Sequence, residues 1–491
     1  MDSVTGSTAN LALPVLAEHH TSLMHGWIPG TVQAVSVTVL LLAIGWRSRR
    51  WRLLWLPAAA AVGAGVAAWA HWYITAGGLA DDPAPHPLWW WIAFSGAAAT
   101  ILVLGWPGAA WWRRGASLLA VPLCLLSTGL VLNLWVGYFP TVQTAWNQLT
   151  AGPLPDQTDL ATVNAMAATG IRPLHGSLVP VTIPDDASHF KHRGELVYLP
   201  PAWFASSPPP QLPTVMMIGG EFNTPGDWAR AGNAVKIIDE LAAAHDGNAP
   251  VFVFVDSGGA FNNDTECVNG TRGNAADHLT KDVAPYMASS FGVSSDPSRW
   301  GIVGWSMGGT CAVDLTVMHP ELFSSFVDIA GNMGPDAGTK AQTIARLFGG
   351  STAGWDEFDP ATVIRSHGRY DGVSGWFAIS SDNAPKRYHS LSVAADAGPI
   401  GMGGQDNIRY PDDQTAAAER LCKLGRTNGI DCEVVAQSGK HDWPFASRAF
   451  ATALPWLAGE LETPEVPLIA LPSASRAPMA APGPHTEAVG R

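Results

Sequence analysis

The sequence predicts two parts, a set of four membrane-spanning helices followed by an α/β domain with a mostly parallel sheet flanked by helices. Long apolar stretches without charge fill much of residues 27–139, and strand-like apolar runs alternate with helical patterns after residue 175. A Gly-x-Ser-x-Gly turn follows one of those runs. We therefore divide the chain into a four-helix transmembrane region (1–140), a linker (141–174), an α/β domain (175–460) and a disordered Pro/Ala-rich tail (461–491).

The composition is divided in the same way. Only 14% of the 491 residues are charged, and 14 of the 22 Trp fall within residues 1–146. Residues 1–140 carry 6 basic and 4 acidic side chains, which leaves 22 basic and 37 acidic beyond residue 140. An acidic surface repels phosphate backbones, so the sequence argues against nucleic-acid binding.

The first part is predicted to cross the membrane four times, at residues 27–46, 53–75, 88–112 and 116–139. About 20 apolar residues are needed to cross a hydrocarbon core of roughly 30 Å. Trp residues cluster at the ends of these stretches, as in the aromatic belts of membrane proteins. We therefore expect a membrane-embedded bundle rather than buried helices of a soluble domain.

The basic residues of this region predict which side of the membrane each loop faces. All of them lie between spans one and two or between spans three and four: Arg47, Arg49, Arg50, Arg52, Arg113 and Arg114. Cytoplasmic loops are enriched in Lys and Arg, so both loops are expected in the cytoplasm and the chain after residue 140 outside it. No basic region with an apolar core precedes residue 27, so the first span is expected to act as the export signal.

Apolar runs in the second part predict the strands of a sheet. Two leading strands are expected at residues 178–183 and 195–200, before a Pro-rich loop at 207–213. Further runs with room for helices between them are TVMMIGG, PVFVFVDSGG, WGIVGWSMGG, SFVDIAG (325–331), GWFAIS (375–380) and CEVVAQ (432–437). Near-continuous apolar strands are typical of a parallel sheet covered on both faces.

The segment Gly304-Trp305-Ser306-Met307-Gly308-Gly309 lies between a strand-like run and a helical one. This arrangement is a nucleophile elbow, in which glycines permit a tight turn and the serine Oγ points out of the sheet. It predicts an α/β-hydrolase fold with Ser306 as the nucleophile. The backbone N–H groups of Met307 and of Glu221, in the glycine loop Ile218-Gly219-Gly220-Glu221, are the expected oxyanion donors.

The serine needs a base and an acid further along the chain. His441 follows the last strand-like run and precedes a helix, where the histidine of such a triad is expected. Asp382 follows GWFAIS directly and is the first choice for the acid. Asp406, in the insertion at 383–411, is a second candidate because that loop could fold back over the site.

The segments VYLPPAW, MMIGGEF, VDSGG, GWSMGG and GKHDWPF, in this order, resemble the putative-esterase family of α/β-hydrolases, which includes mycolyltransferases. The resemblance covers about residues 175–460. It implies Ser306 as nucleophile, His441 as base, an acidic partner between them, and ester hydrolysis or acyl transfer without a metal or organic cofactor. The four spans are not part of the secreted mycolyltransferases, and the 383–411 insertion leaves the acid open.

Four cysteines of the second part can form two disulfides. Cys422 with Cys432, linking a helix to the next strand, and Cys267 with Cys311 is one possible pairing, and the sequence leaves the pairing open. No Cys/His spacing of a zinc site and no dinucleotide or Walker loop is present.

The sequence therefore predicts a membrane-anchored, extracytoplasmic serine esterase or acyltransferase acting on lipid or cell-envelope esters. The alternative is a non-catalytic membrane receptor or scaffold with a hydrolase-like ligand-binding domain.

Overall fold

The computed structural model describes residues 22–24, 26–45, 48–77, 84–136, 138–139, 141–150, 154–380 and 414–472. Four helices in these ranges are long and apolar enough to cross a membrane. They are α1 (Trp27–Ile44), α2 (Leu56–Gly77, continuing a π-helical turn at Trp51–Trp55), α3 (His86–Gly105) and α4 (Trp111–Val136).

The third helix is shorter than the apolar stretch that predicted it. It ends at Gly105 because Pro107 cannot continue the helical hydrogen bonding and Gly108 has a φ of 70°. The fourth helix begins at Trp111, so Arg113 and Arg114 lie in its first turn rather than in a loop.

Small and hydroxyl residues form the contacts between these helices. The Ser36 hydroxyl on α1 lies 2.8 Å from the Ser127 hydroxyl on α4 and donates to the Leu123 carbonyl at 3.0 Å. A Cβ at Gly63 on α2 would lie 2.3 Å from the Ala93 carbonyl on α3. Close backbone approach at small residues is typical of helix packing in membranes.

The segment that the sequence predicted as a linker contains two helices. These are α5 (Val142–Thr150) and α6 (Leu160–Thr169). Asp159 caps α6 by accepting a hydrogen bond from the Thr162 amide, which supplies a start signal that the apolar pattern lacks.

Every predicted strand is present in one eight-stranded sheet of order β1-β2-β4-β3-β7-β8-β9-β10. The strands are β1 (Ser177–Val181), β2 (Glu195–Leu199), β3 (Thr214–Ile218), β4 (Val251–Val255), β7 (Trp300–Trp305), β8 (Ser325–Ile329), β9 (Ser374–Ser380) and β10 (Asp431–Gln437); β5 (Asn269–Gly270) and β6 (Gly273–Asn274) form a separate hairpin. From β4 to β10 neighbouring strands are parallel, and β2 is antiparallel to both β1 and β4.

Helices cover both faces of this sheet. The helices are α7 (Pro225–Arg230), α8 (Ala234–Ala244), α9 (Ala275–Asp277), α10 (Ala284–Phe291), α11 (Met307–Met318), α12 (Lys340–Phe348), α13 (Thr352–Phe358), α14 (Pro360–His367), α15 (Gln414–Thr427) and α16 (Trp443–Glu460). Along β3, Met216 and Ile218 join one apolar core while Val215 and Met217 join the other. This is the α/β-hydrolase architecture that the strand pattern predicted.

The chain continues to pack after α16. Leu461 and Thr463 are buried, within the segment 461–491 that composition predicted to be disordered. The rest of that prediction concerns residues 473–491, which lie outside the described residues.

Candidate active site

The turn from β7 to α11 holds Ser306 in a backbone conformation that few non-glycine residues adopt. Its φ is 57° and its ψ is −122°. The Ser306 amide donates to the Ile329 carbonyl at 2.9 Å, which ties the turn to the neighbouring strand β8. The side chain is therefore held at the carboxyl edge of the sheet.

The glycines around Ser306 are required by the closeness of the backbone. A Cβ at Gly304 would lie 1.6 Å from the Gly308 carbonyl oxygen, and one at Gly308 would lie 2.4 Å from the Ile218 carbonyl oxygen. A Cβ at Gly309 would lie 2.3 Å from Oδ1 of Asp328. The Gly-x-Ser-x-Gly-Gly pattern thus has a steric cause at each of its glycines.

His441 lies opposite the serine, in the loop between β10 and α16. Its Nε2 is 2.9 Å from the Ser306 Oγ, although 135 positions separate the two residues. The Trp305 ring packs against the imidazole at a centroid distance of 4.3 Å. Asp442 caps α16 through the Phe445 amide and so fixes the end of the loop.

The other imidazole nitrogen faces a side chain that sequence reasoning missed. Nδ1 of His441 lies 3.1 Å from Nε2 of Gln414, and that amide also donates to the Ala330 carbonyl at 2.9 Å. An amide carries no charge and cannot stabilise an imidazolium as a carboxylate does. Asp382 and Asp406, the two predicted acids, lie outside the described residues, as does the 383–411 insertion.

The glycine loop after β3 lies beside the serine. A Cβ at Gly220 would lie 3.1 Å from the Ser306 Cβ, so the backbone leading to Glu221 passes close to the nucleophile. Met307 occupies the first position of α11, where a backbone N–H has no acceptor within the helix. Both predicted oxyanion donors thus belong to backbone that borders Ser306.

Two further residues hold this loop in place, and the sequence did not single them out. Asn223 accepts a hydrogen bond from the Gly220 amide at 2.8 Å, and Arg193 donates to the Asn223 carbonyl at 2.8 Å. Arg193 also pairs with Asp256 at 2.6 and 2.9 Å. Burial raises the pKa of Asp256, but the bonds and charge of Arg193 outweigh it and leave the pKa below its ordinary value.

Three buried carboxyl groups lie around α11. Burial raises the pKa of Asp328 to about 7, although the Gly331 amide donates to it at 2.7 Å. Burial also raises the pKa of Asp359 to about 6. The pKa of Asp314 is well above its ordinary value, first through burial and then through the charges of Asp359 and Asp328. None of the hydrogen bonds named here joins one of these carboxyl groups to Ser306.

The chain forms both disulfides of the pairing suggested from the sequence. Cys267 pairs with Cys311, which ties the segment after β4 to α11, and Cys422 pairs with Cys432, which ties α15 to β10. Cys311 lies five positions after Ser306, so the first bond ties the helix that begins at that serine to the rest of the domain.

His192, Glu195 and His278 bring three potential metal ligands within 4.8 Å of one another. His278 Nε2 lies 2.9 Å from a Glu195 oxygen and its Nδ1 lies 3.4 Å from Asp282. The two imidazoles are stacked, with centroids 4.1 Å apart and planes 22° apart. Since a ring nitrogen binds a metal in the plane of its ring, stacked rings do not direct both nitrogens at one ion.

This cluster is instead a buried ion-pair group. Burial lowers the pKa of His278, but the hydrogen bonds and charges of Glu195 and Asp282 outweigh it and raise the pKa above its ordinary value. The sequence did not predict the cluster because 83 positions separate Glu195 from His278.

The chain is similar to several known proteins. An uncharacterized protein of Corynebacterium glutamicum is 29% identical over 366 residues, which are 72% of this chain and 83% of that protein. A ferulic acid esterase (17% identity, TM-score 0.43) matches 58% of this chain and 99% of its own. An S-formylglutathione hydrolase from Agrobacterium tumefaciens (17% identity, TM-score 0.44) matches 59% of this chain and 97% of its own. MPT51 of Mycobacterium tuberculosis (17% identity, TM-score 0.38) matches 57% of this chain and 97% of its own.

The family model described as putative esterase matches residues 191–457, more than half of the chain and the part that contains both Ser306 and His441. This protein therefore belongs to the putative-esterase family of α/β-hydrolases.

Proposed function

We propose that this protein is a membrane-anchored, extracytoplasmic serine esterase or acyltransferase that acts on lipid or cell-envelope esters. The observation that carries the proposal is the 2.9 Å approach of His441 Nε2 to Ser306 Oγ at a strained turn. A serine and a histidine in hydrogen-bonding contact, beside backbone N–H groups, form the arrangement needed for acyl transfer.

The reaction would take place in two halves. His441 Nε2 accepts the Ser306 proton while Oγ attacks the ester carbonyl carbon, and the N–H groups of Met307 and Glu221 stabilise the oxyanion. The C–O bond to the alcohol then breaks, the alcohol takes the proton from His441, and an acyl-serine remains. Water or a sugar hydroxyl repeats the steps in reverse and releases the acid or a new ester.

Asp382 is our preferred acid. Ser380, the last residue of β9, donates to the carbonyl of Gly439, so the end of this strand adjoins the loop that holds His441. Asp382 follows two residues later. A buried carboxylate at Nδ1 would fix the imidazole tautomer and stabilise the imidazolium.

Membrane anchoring rests on the four apolar helices. Between 11% and 33% of the residues in each candidate span are buried within the protein, so most of the apolar surface of these helices needs lipid to cover it. The cations of the bundle lie at the ends that connect α1 to α2 and α3 to α4. That distribution favours an extracytoplasmic hydrolase.

Replacement of the nucleophile tests the proposal. We expect Ser306→Ala to abolish turnover of short p-nitrophenyl esters and labelling by a fluorophosphonate probe. Ser289→Ala, at an exposed serine of α10, is the matched control and should retain both. Undiminished turnover in Ser306→Ala would remove the assignment, and a wild-type protein that the probe does not label would favour the receptor or scaffold.

The acid and the orientation have their own tests. Asp382→Asn should lower kcat by about four orders of magnitude, the effect known for the triad aspartate of a serine protease, whereas Asp406→Asn should not. The reverse result would assign the acid to Asp406. Protease added outside intact cells should digest the hydrolase, and protection would reverse the orientation.

A further inference from the structure

The end of α2 contacts the hydrolase through three side chains. Arg272 Nη2 donates to the Gly77 carbonyl at 2.5 Å, and Arg346 Nη2 donates to the Thr75 carbonyl at 2.9 Å. Asn262 donates to the Tyr73 hydroxyl at 2.5 Å. The second span therefore ends against the hydrolase rather than in a free connection.

The two arginines donate hydrogen bonds to backbone carbonyl groups at the C-terminal end of this helix. The last four carbonyl groups of a helix have no partner within it, and this end carries the negative pole of the helix dipole. Guanidinium groups are suited to it because they donate from several nitrogens and always carry charge. Since the last carbonyl groups of α2 need such donors, the contact is favourable for both parts.

The same arginines are held by the hydrolase through their other nitrogens. Arg272 Nη1 donates to the carbonyl of Asp264 and lies 3.3 Å from its carboxylate. Arg346 Nη1 donates to the carbonyl of Ala337. Each guanidinium thus joins the hydrolase to the span. Burial and the nearby charge of Arg272 lower the pKa of Arg346, consistent with two cations held side by side.

The contacts are made at the edge of the sheet that holds the nucleophile. Asn262 and Arg272 lie in the segment that follows β4, and the carboxyl ends of parallel strands β4 and β7 lie at one edge. A second span meets the same edge, because Tyr138, just after α4, donates to Asp227 in the first turn of α7. Both helices that run from the cytoplasmic loops outward therefore end beside the active-site edge.

An aromatic pair lies at this edge. Phe222, next to Glu221, and Phe261, next to Asn262, have ring centroids 5.1 Å apart. Phe261 is 68% exposed, a large apolar side chain one position from the residue that contacts Tyr73 of the span. An exposed aromatic ring beside the end of a membrane helix is placed at the depth of the lipid interface.

We propose that Arg272 and Arg346 fix the hydrolase with its active-site opening toward the bilayer, and that Phe222 and Phe261 receive the acyl chain of a lipid ester directly from the adjacent leaflet. This rests on the proposed function, since it assigns the substrate class and access route of that same site. A long acyl chain that left the bilayer through water would expose every CH₂ group to water, which is unfavourable. An opening that faces the lipid avoids most of that cost.

The test compares two esters on the full-length protein in phosphatidylcholine vesicles. One is 4-methylumbelliferyl palmitate dissolved in the bilayer, and the other is the water-soluble 4-methylumbelliferyl acetate. Arg272→Ala/Arg346→Ala should lower the palmitate rate at least tenfold and leave the acetate rate within about twofold. Arg172→Ala is the control, because Arg172 also donates to a backbone carbonyl and pairs with a carboxylate, both of Asp246.

The outcomes separate the two proposals. An unchanged ratio of palmitate to acetate rates in the double variant, or an equal loss of both, would overturn the access route while leaving the esterase intact. A wild-type protein that cleaves neither ester would instead remove the proposed function.

A second measurement does not depend on catalysis. A fluorophore attached at Phe261→Cys, in a Cys124→Ala background, should be quenched by lipids brominated on their acyl chains. The same label at Leu174→Cys should not be, because Leu174 is 93% exposed and precedes the start of β1, at the opposite edge of the sheet. Equal quenching at both positions, or none at residue 261, would contradict a lipid-facing opening.

Discussion

In the bundle, large apolar side chains point outward: Val103 on α3 is 70% exposed and Trp111 at the start of α4 is 85% exposed. In the hydrolase, all six residues of β7, from Trp300 to Trp305, are buried. Apolar residues therefore lie on the outside of the bundle but in the interior of the hydrolase. In the proposed membrane anchoring, lipid would cover the apolar surface of the bundle, whereas the hydrolase covers its own apolar surface with helices on both faces of a sheet.

The difference extends to the polar groups. Contacts between helices in the bundle use hydroxyl groups such as those of Ser36 and Ser127, which form hydrogen bonds without carrying a charge. The hydrolase buries carboxyl groups, imidazoles and two disulfides around its site. We therefore expect pH and redox conditions to act on the hydrolase and membrane insertion to depend on the bundle, and four experiments can break or sharpen that division.

The largest effect is expected from pH on the hydrolase. Burial raises the pKa of Asp328 to about 7, against 3.8 for an unperturbed aspartate. The folding stability that the protonated Asp328 carboxyl contributes is therefore fully present below about pH 4 and is lost as pH rises through 7. A difference of about three pH units corresponds to roughly 4 kcal/mol. Asp328→Asn should flatten this part of the profile of stability against pH. Thermal unfolding at each pH, detected by the susceptibility of the hydrolase to protease, measures the profile. Asp371→Asn, at an exposed position, should keep the wild-type profile.

Loss of a disulfide should come next. Cys267→Ala/Cys311→Ala opens a link between residues 44 positions apart and should lower the free energy of unfolding of the hydrolase by about 3 kcal/mol. Cys124→Ala changes a free cysteine buried in the bundle and should leave the hydrolase unchanged. Denaturant unfolding of the hydrolase would measure both, and equal losses would refute the division.

A charge introduced at two equally exposed positions should distinguish a side chain that faces lipid from one that faces water. Val103 and Ile171 are each 70% exposed. Val103→Asp places a carboxylate against lipid near the end of α3, at a cost below the roughly 3 kcal/mol for a helix centre, whereas Ile171→Asp places it in water at little cost. The yield of membrane-integrated protein should fall for the first variant alone. Similar yields would argue that α3 does not face lipid.

The smallest effect is expected from helix packing inside the bundle. Gly63→Ala would force α2 and α3 apart, because its Cβ would lie 2.3 Å from the Ala93 carbonyl, and should cost about 1–2 kcal/mol. Gly65→Ala has open space and should be neutral. Unfolding in mixed detergent micelles measures both, and acetate hydrolysis should be unchanged in each. If Gly63→Ala unfolds as easily or as hard as the unsubstituted protein, α2 and α3 can move apart at this position without loss of stability.

The strands could be predicted because their signal is local. Each run that became a strand is a short apolar segment bounded by turn residues, and each candidate spanning helix contains a long apolar stretch whose only charges, where it has any, are arginines near one end. The nucleophile turn was also local, since Gly304, Ser306 and Gly308 carry the constraint within five positions. The two helices α5 and α6 were harder, because they are only 9 and 10 residues long and Pro153, Pro155 and Pro173 interrupt this part of the sequence.

The sequence by itself determined the two-part architecture, the strands and the serine at the turn, because periodicity, length and local backbone geometry are written in neighbouring residues. The tertiary structure decided what surrounds that serine: the contact of His441 with Ser306 and Gln414, the support of the glycine loop by Arg193, and the two arginines on the end of α2. These contacts join residues from 27 to 271 positions apart. The position of His441 after the last strand predicted its contact with Ser306, but no local pattern marks the other contacts, because only the folded chain brings such distant groups within hydrogen-bonding distance.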